Sequence, residues 1–268
     1  MNILENFNLF LFDMDGVVYI GNKPIPGSVE LINHLFTSNK KVIFLTNNPA
    51  RSDREYAKKL NQIGIKTDTD HIVTSTKNVC HYLKNNIKEI KKKSAYVIGS
   101  RHFKISVSKT GIKIVRPGNN FSSDYVIMGG HRDFNFNEID YASQFIRNGA
   151  KIIASNRDSR YPSELGFSPG TGALLSSIEI TSGKKALVIG KPEKHIFQLS
   201  LKLAGMKNKN KAVIIGDNLQ TDILGGNNFG ISTILSLTGV TGKKDLKNSK
   251  IKPDFIVNNP SELLNYSR

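Results

Sequence analysis

The stretch Leu9-Phe10-Leu11-Phe12-Asp13-Met14-Asp15-Gly16 decides how the rest of the chain is read. Four apolar residues in a row suit a strand buried on both faces, the kind found in parallel sheets. The run stops at two carboxylates one residue apart, followed by a glycine. In open parallel sheets ligands bind beyond the carboxyl ends of the strands, so Asp13 and Asp15 stand where a site would form. Asp and Gly are also ordinary turn residues, and the octet taken alone is better read as a strand with an acidic turn. The sequence around it changes that.

Downstream, Gly21 and Pro24-Ile25-Pro26-Gly27 read as turns. Val29, Ile32, Leu35 and Phe36 recur at helical spacing, and Val42-Ile43-Phe44-Leu45 is a second apolar strand ending in Thr46-Asn47-Asn48-Pro49. Ser52 with Glu55 three residues on is a capping-box pattern for a helix carrying Tyr56, Leu60 and Ile63, and Gly64 is a natural stop. Repeated β-α units with apolar strands predict a doubly wound parallel sheet. From about Thr76 the texture changes. A basic helix is expected from 77 to about 92, strands at 95–98, 125–128 and 151–154, and a helix near 137–148. A long irregular segment, 155–171, points to function or a domain junction. The first texture then returns with a strand at 186–189 ending in Gly190-Lys191-Pro192 and a helix carrying Ile196, Phe197, Leu201 and Ala204. A buried strand at 212–215 ends in Gly216-Asp217-Asn218, and strands follow at 231–237 and 254–257.

The 268 residues suffice for one large domain or two moderate ones, and no apolar run reaches the roughly 18 residues of a membrane helix. The start of the chain has no signal-peptide pattern, and the single cysteine, Cys80, offers no internal disulfide. A cytoplasmic protein is expected. The formal charge of +16 is supplied mostly by lysine rather than arginine and is spread along the chain. Phosphate and base recognition favours arginine forks, so diffuse solvated lysines explain the excess better than a nucleic-acid face.

Four strand ends carry polar residues: Asp13 with Asp15, Thr46 with Asn47 and Asn48, Lys191, and Asp217 with Asp222. If the four strands are parallel, these groups converge on one edge of a sheet. Several acids in one cleft call for a cation, and oxygen ligands suit Mg²⁺ better than zinc. Phosphoryl transfer to a carboxylate uses every member. An attacking aspartate splits one hard step into two, yet unit like charges at 4 Å repel by roughly 4 kcal/mol at an effective dielectric of 20. Mg²⁺ and Lys191 would offset that repulsion. Thr46 and the N–H groups after it form a natural phosphate cradle, and Asp15 lies within reach for proton transfer.

Asp13-Met14-Asp15-Gly16-Val17, Thr46-Asn47-Asn48, Gly190-Lys191-Pro192 and Gly216-Asp217-Asn218-Leu219-Gln220-Thr221-Asp222-Ile223 resemble, in order, the four motifs of the haloacid dehalogenase (HAD) superfamily. The nearest branch is the NagD-like, 4-nitrophenylphosphatase subfamily with its class IIA cap. Asp158, Tyr161-Pro162 and the run from Pro169 to Leu174 are similar to the segment leading out of that cap. The resemblance implies a Rossmann-like α/β core, doubly wound around a parallel sheet, over 1–76 and 184–268, with a smaller α/β cap inserted over 77–183. It implies Asp13 as nucleophile and metal ligand, and Asp15 as general acid/base offering its carbonyl to the metal. Thr46, Asn47, Asn48 and Lys191 would hold the phosphoryl group. Asp217 would be the third metal ligand, with Asp222 and Asn218 behind it. The cap segment Asn156-Arg157-Asp158-Ser159-Arg160-Tyr161 is the candidate substrate-reading surface, through Asn156, Arg157, Asp158 and Arg160, although its arginines fit plain loop charges equally well. The subfamily's fourth motif often has Arg where this chain has Asn218 and Asp where it has Gln220, so a substrate preference does not transfer with the motif.

The expected activity is Mg²⁺-dependent hydrolysis of small phosphomonoesters through an aspartyl-phosphate. Nucleotides, sugar phosphates, phosphoglycolate, pyridoxal phosphate and 4-nitrophenyl phosphate all stay open as substrates. The partner is then a small phosphorylated metabolite rather than a membrane or a nucleic acid, and a homo-oligomer is left open. Two rivals stand beside this reading. A phosphotransferase such as a phosphosugar mutase would also need both aspartates. A non-enzymatic anion or nucleic-acid binder would use the net charge but has no need for an acidic pocket.

Overall fold

The computed structural model describes residues 3–118, 120–163 and 166–265. Strands β1 (Leu9–Asp13), β2 (Tyr19–Ile20), β3 (Lys23–Pro24), β4 (Lys41–Thr46) and β5 (Ile72–Thr74) come first. The middle of the chain holds β6 (Ser94–Ile98), β7 (Lys113–Val115), β8 (Tyr125–Met128), β9 (Lys151–Ala154), β10 (Arg160–Ser163), β11 (Gly166–Pro169) and β12 (Leu187–Val188). The last part holds β13 (Ala212–Gly216), β14 (Ser232–Ser236) and β15 (Phe255–Val257). The helices used below are α1 (Ser28–Thr37), α2 (Asp53–Gln62), α3 (Ser75–Asn86), α4 (Arg101–Ser108), α5 (Phe136–Arg147), α6 (Thr171–Ser182) and α7 (Lys194–Leu203). Two compact units emerge. The first comprises Met1–Thr46, Asp53–Val73 and Lys191–Arg268, and the second Asn47–Ser52 and Thr74–Gly190.

The first unit is built on a six-stranded sheet in the order β15-β14-β13-β1-β4-β5, with β1 central. The pairings of β1 with β13 and β4, and of β14 with β13 and β15, are parallel. Alternate residues of β1 serve opposite faces, as strand geometry requires. Phe10 and Phe12 pack with Val42, Phe44, Val213 and Ile215 under α1 and α2, which contribute Leu31, Ile32, Leu35, Tyr56 and Leu60. Leu9 and Leu11 pack with Ile43, Leu45 and Ile214 under Ile196, Phe197, Leu199 and Leu201 of α7. Covering both faces explains why these strands read as unbroken apolar runs, each fully buried Leu or Phe contributing about 1.5–3 kcal/mol. This is the doubly wound parallel α/β sheet that the sequence predicts.

The second unit has its own five-stranded sheet, β12-β9-β8-β6-β7, and every pairing in it is parallel. Tyr96, Val126, Phe145, Ile152, Leu175 and Ile178 form one core, and Val79, Val97, Phe103, Ile127 and Ile153 another. Here the structure departs from the sequence reading in several places. The strand before Lys191 pairs with β9 of this sheet, not with the sheet that holds β1. Three of the four motif-bearing strands therefore share one sheet, and Lys191 arrives by connection from the other. The basic helix ends at Asn86, where the backbone of Ile87 becomes extended, and Glu89, left-handed with φ of 50°, then leads into a separate short 3₁₀ turn, Ile90–Lys92. The segment 155–171 is not structureless, since β10 and β11 within it pair antiparallel. Helix α6 escaped periodicity because its apolar residues lie on both sides, with Leu175 and Ile178 buried and Ile180 exposed.

Candidate active site

Four charged side chains of the first unit meet at the carboxyl edge of its sheet. Asp13 ends β1, one residue beyond the register pair Phe12–Ile215, and Asp217 follows the end of β13. Asp222 lies in a π-helical turn, Leu219–Ile223, whose first N–H groups are met by Asn218: its Oδ1 accepts from Gln220 N–H at 2.9 Å. The Lys191 ammonium donates to Asp13 Oδ1 at 2.7 Å and to Asp222 Oδ1 at 2.6 Å. Oxygens of Asp13, Asp217 and Asp222 all lie within 4.8 Å of one another. Among the described residues, three carboxylates stand against one ammonium, an excess of two formal negative charges in a largely buried site.

Electrostatics follow from that imbalance. Burial raises the Asp13 carboxyl, Lys191 opposes it and Asp15 adds repulsion. Asp217 is raised well above the usual carboxylate range by burial first and then by Asp13 and Asp222. Asp222 is pushed up to about 6, again by burial first, with Lys191 pulling it down. For Lys191 burial works against the charge, but Asp13 and Asp222 together carry its pKa upward. Among the described residues the donor set is three hard carboxylate oxygens without thiolate or imidazole, and its excess negative charge matches a divalent cation.

The loop after β1 is shaped around Asp217. Met14 O accepts the N–H of Val18 at 2.9 Å, and Gly16 N–H donates to Tyr19 O at 2.8 Å. Gly16 has φ of +89°, and a Cβ there would stand 2.5 Å from Asp217 Oδ2. The glycine is needed both for its turn and for this close approach. From the other side, a Cβ on Gly239 would overlap the same carboxylate. Val240 N–H donates to Asp217 Oδ2 at 2.6 Å, and Thr241 N–H to Asp217 O at 3.0 Å. The sequence reading missed this loop. Its available signal was the doubled Thr-Gly at 238–239 and 241–242 immediately after a strand.

The remaining candidates are placed as follows. Asp15 is exposed, two residues past Asp13. Thr46 is buried at the end of β4, one residue beyond the register pair Asp13–Leu45. Asn218 N–H donates to Asp222 Oδ2 at 3.2 Å. Asn47 and Asn48 pack with the second unit. Asn47 Nδ2 donates to Asp158 Oδ1 at 3.0 Å, and Asn48 Oδ1 accepts from Ala50 N–H at 2.9 Å, an Asx turn. Asn156 is buried and bonded within the unit. The Arg160 guanidinium lies over the Phe167 ring, 4.2 Å from its centroid.

Arg157 is held by a residue that the sequence reading did not single out. Its guanidinium forks onto both oxygens of Glu179, at 2.9 and 2.6 Å, and Glu179 also accepts from Lys185 Nζ and Ala186 N–H. The Glu179 side chain is 1% exposed. Its pKa is held down to about 2 from the ordinary 4.5, chiefly by the Arg157 hydrogen bond against the cost of burial. A carboxylate depressed in the folded state stabilises it fully above the unfolded pKa and loses that contribution as pH falls through the folded one. Glu179→Gln is therefore expected to cost roughly 2 kcal/mol at pH 7, after allowing for water around the arginine and lysine ends. The gap from wild type should shrink between about pH 4.5 and pH 2. Urea titrations of both proteins at pH 7 and pH 3 check this; an undiminished gap at pH 3 would contradict it.

Comparison with known proteins is consistent across sequence and structure. A model for haloacid dehalogenase-like hydrolases matches residues 10–113, and a second HAD-hydrolase-like model matches 188–263. The chain is 31% identical to an acid sugar phosphatase from Staphylococcus saprophyticus, over 97% of this chain and 98% of that one. It is similar to a 4-nitrophenylphosphatase structure from Thermotoga maritima, with 31% identity, a TM-score of 0.88 and 99% of each chain covered. It is also similar to NagD from E. coli K-12, with 30% identity, a TM-score of 0.85, and 96% of this chain and 98% of that chain covered.

Proposed function

The chain belongs to the haloacid dehalogenase-like hydrolases as a NagD-like phosphatase, and from that premise we propose that it hydrolyses small phosphomonoesters, sugar phosphates foremost, through an aspartyl-phosphate, an acyl phosphate on Asp13. The observation that carries the reading is Lys191 bridging Asp13 and Asp222, with Asp217 beside them. The substrate class follows the acid sugar phosphatase relative.

In the first step an Asp13 carboxylate oxygen forms a bond to phosphorus while the bond to the leaving oxygen breaks. Asp15, exposed and therefore reachable, gives that oxygen its proton. In the second step Asp15 takes a proton from water, the water oxygen bonds to phosphorus, and Asp13 is released with inorganic phosphate. Thr46 and Asn47 hold the phosphoryl oxygens. Lys191 lowers the repulsion between nucleophile and phosphate, and Asp222 fixes its ammonium in place. The Asp13 and Asp217 carboxylates with the Asp15 carbonyl would hold Mg²⁺, which when bound supplies positive charge against the transferring group. The second unit acts as the cap that selects substrate, Arg160 on β10 belonging to its reading surface. The reading implies the cytoplasm, where a chain whose single cysteine is Cys80 loses nothing by lacking a disulfide.

Purified protein is expected to release phosphate from a panel of phosphomonoesters with Mg²⁺ and no acceptor sugar, which separates hydrolysis from phosphoryl transfer between sugars. Excess EDTA should abolish release and added Mg²⁺ restore it. Mg²⁺ at about 100 times its dissociation constant should stabilise the fold by roughly 2.7 kcal/mol, visible as a rise in melting midpoint. Full activity in EDTA, or no shift in melting, would count against the metal-holding roles.

A further inference from the structure

The chain leaves β4 at Thr46 and enters a six-residue stretch, Asn47–Ser52, that belongs to the second unit. Both polar ends of Asn47 are gripped there by one short loop. Asn156 Nδ2 donates to the Asn47 backbone oxygen at 2.7 Å and to Thr171 Oγ1 at 3.1 Å. Asp158 Oδ1 accepts from Asn47 Nδ2 at 3.0 Å. The loop is itself fixed: Asp158 N–H donates to Asn156 Oδ1 at 3.1 Å, and Asp158 O accepts from Gly172 N–H at 2.8 Å. Asn47 and Asn156 are only 5% and 2% exposed. Gly190, the residue before Lys191, closes the cluster, since a Cβ there would lie 2.6 Å from Asn47 Oδ1.

We propose that Asp158 and Asn156 are positioning residues for phosphoryl transfer, aiming Asn47 rather than reading the substrate. The inference rests on the reading of Asn47 as a phosphoryl-holding residue. Asp158 dictates which way the Asn47 amide turns. Asn156 fixes the carbonyl of the Asn47–Asn48 peptide, and because that peptide is planar it also fixes the direction of the Asn48 N–H. A donor aimed in advance at developing charge costs no reorganisation during the reaction, and a misplacement of about 1 Å can cost on the order of 100-fold in rate. The donors that follow Thr46 are thereby set by hydrogen bonds within the second unit.

The test is a double-mutant cycle on 4-nitrophenyl phosphate with inorganic phosphate as product inhibitor. Asp158→Ala is expected to lower kcat by about 10–100-fold and to weaken phosphate inhibition, with the melting midpoint nearly unchanged. Asp158→Asn keeps an acceptor for the Asn47 amide and should return kcat to within about threefold of wild type. Asn47→Ala should lose as much as Asp158→Ala, and the double variant no more than either, since both remove one unit of function. Losses that multiply, an Asp158→Ala enzyme with wild-type kcat, or an Asp158→Asn enzyme as impaired as the alanine variant would each overturn the proposal. A wild-type protein inactive on every ester would instead sink the phosphatase reading, and this inference with it.

Discussion

Asp13→Asn is expected to lower kcat on 4-nitrophenyl phosphate by at least about 10⁴-fold while leaving the fold intact. Residues that act as one catalytic unit typically lose this much when a single member goes, and an amide oxygen is a poor nucleophile with no charge to form the acyl phosphate. Stability should hold because Asp13 belongs to an acidic cluster in which burial and neighbouring carboxylates already oppose its charge. Lys191 would retain Asp222 as a partner at 2.6 Å. Rapid-quench trapping with hydroxylamine should find an acyl phosphate in wild type and none in the variant. Wild-type-like turnover by Asp13→Asn, with a circular dichroism melt matching the parent, would remove the nucleophile from the mechanism.

Lys191→Met should do the opposite kind of damage. The methionine matches the length of the lysine stem but deletes the ammonium that Asp13 and Asp222 share. Asp222 is fully buried and Lys191 is 3% exposed, so carboxylates left unpaired there cannot recover their hydration. Breaking a buried ion pair by removing one partner costs about 3–5 kcal/mol, which for a chain of this size lowers the melting midpoint by roughly 10 °C. Activity should fall with it, since the ammonium that offsets repulsion between Asp13 and phosphate is gone. Differential scanning calorimetry and phosphate release measure both effects. A variant melting within a degree or two of wild type would mean that the network is worth far less than its burial implies.

The first unit was legible because its signals were local and periodic. Buried parallel strands read as apolar runs, as at 9–12, 42–45 and 212–215, and each ended in residues whose chemistry has little use in packing. What stayed hidden depended on partners far apart in sequence. The strand before Lys191 looks like any other apolar strand, and nothing within it says that β9 rather than the first sheet will take it. Arg157 read as a loop charge or a substrate contact because its partner, Glu179, lies in a helix without a clean apolar stripe. Asn47 read as a phosphoryl-holding residue at a strand end, with no hint that its side chain and backbone are both bonded by a loop more than a hundred positions later. Tertiary hydrogen bonds of this kind leave no periodic trace.

The glycines at 16 and 239 bear on how inactive relatives of such a protein would arise. Asp217 stands in a slot with no room for a methyl group on either wall. A descendant with alanine at 239 would keep every acid and the lysine of the four motifs, and a scan for those residues would score it as competent. Its Asp217 would nonetheless have to swing out of place, giving up the Val240 N–H that now anchors it. Loss of function in this lineage can therefore be written at positions that carry no chemistry at all, and a search for retired copies should weigh two glycines as heavily as four charges.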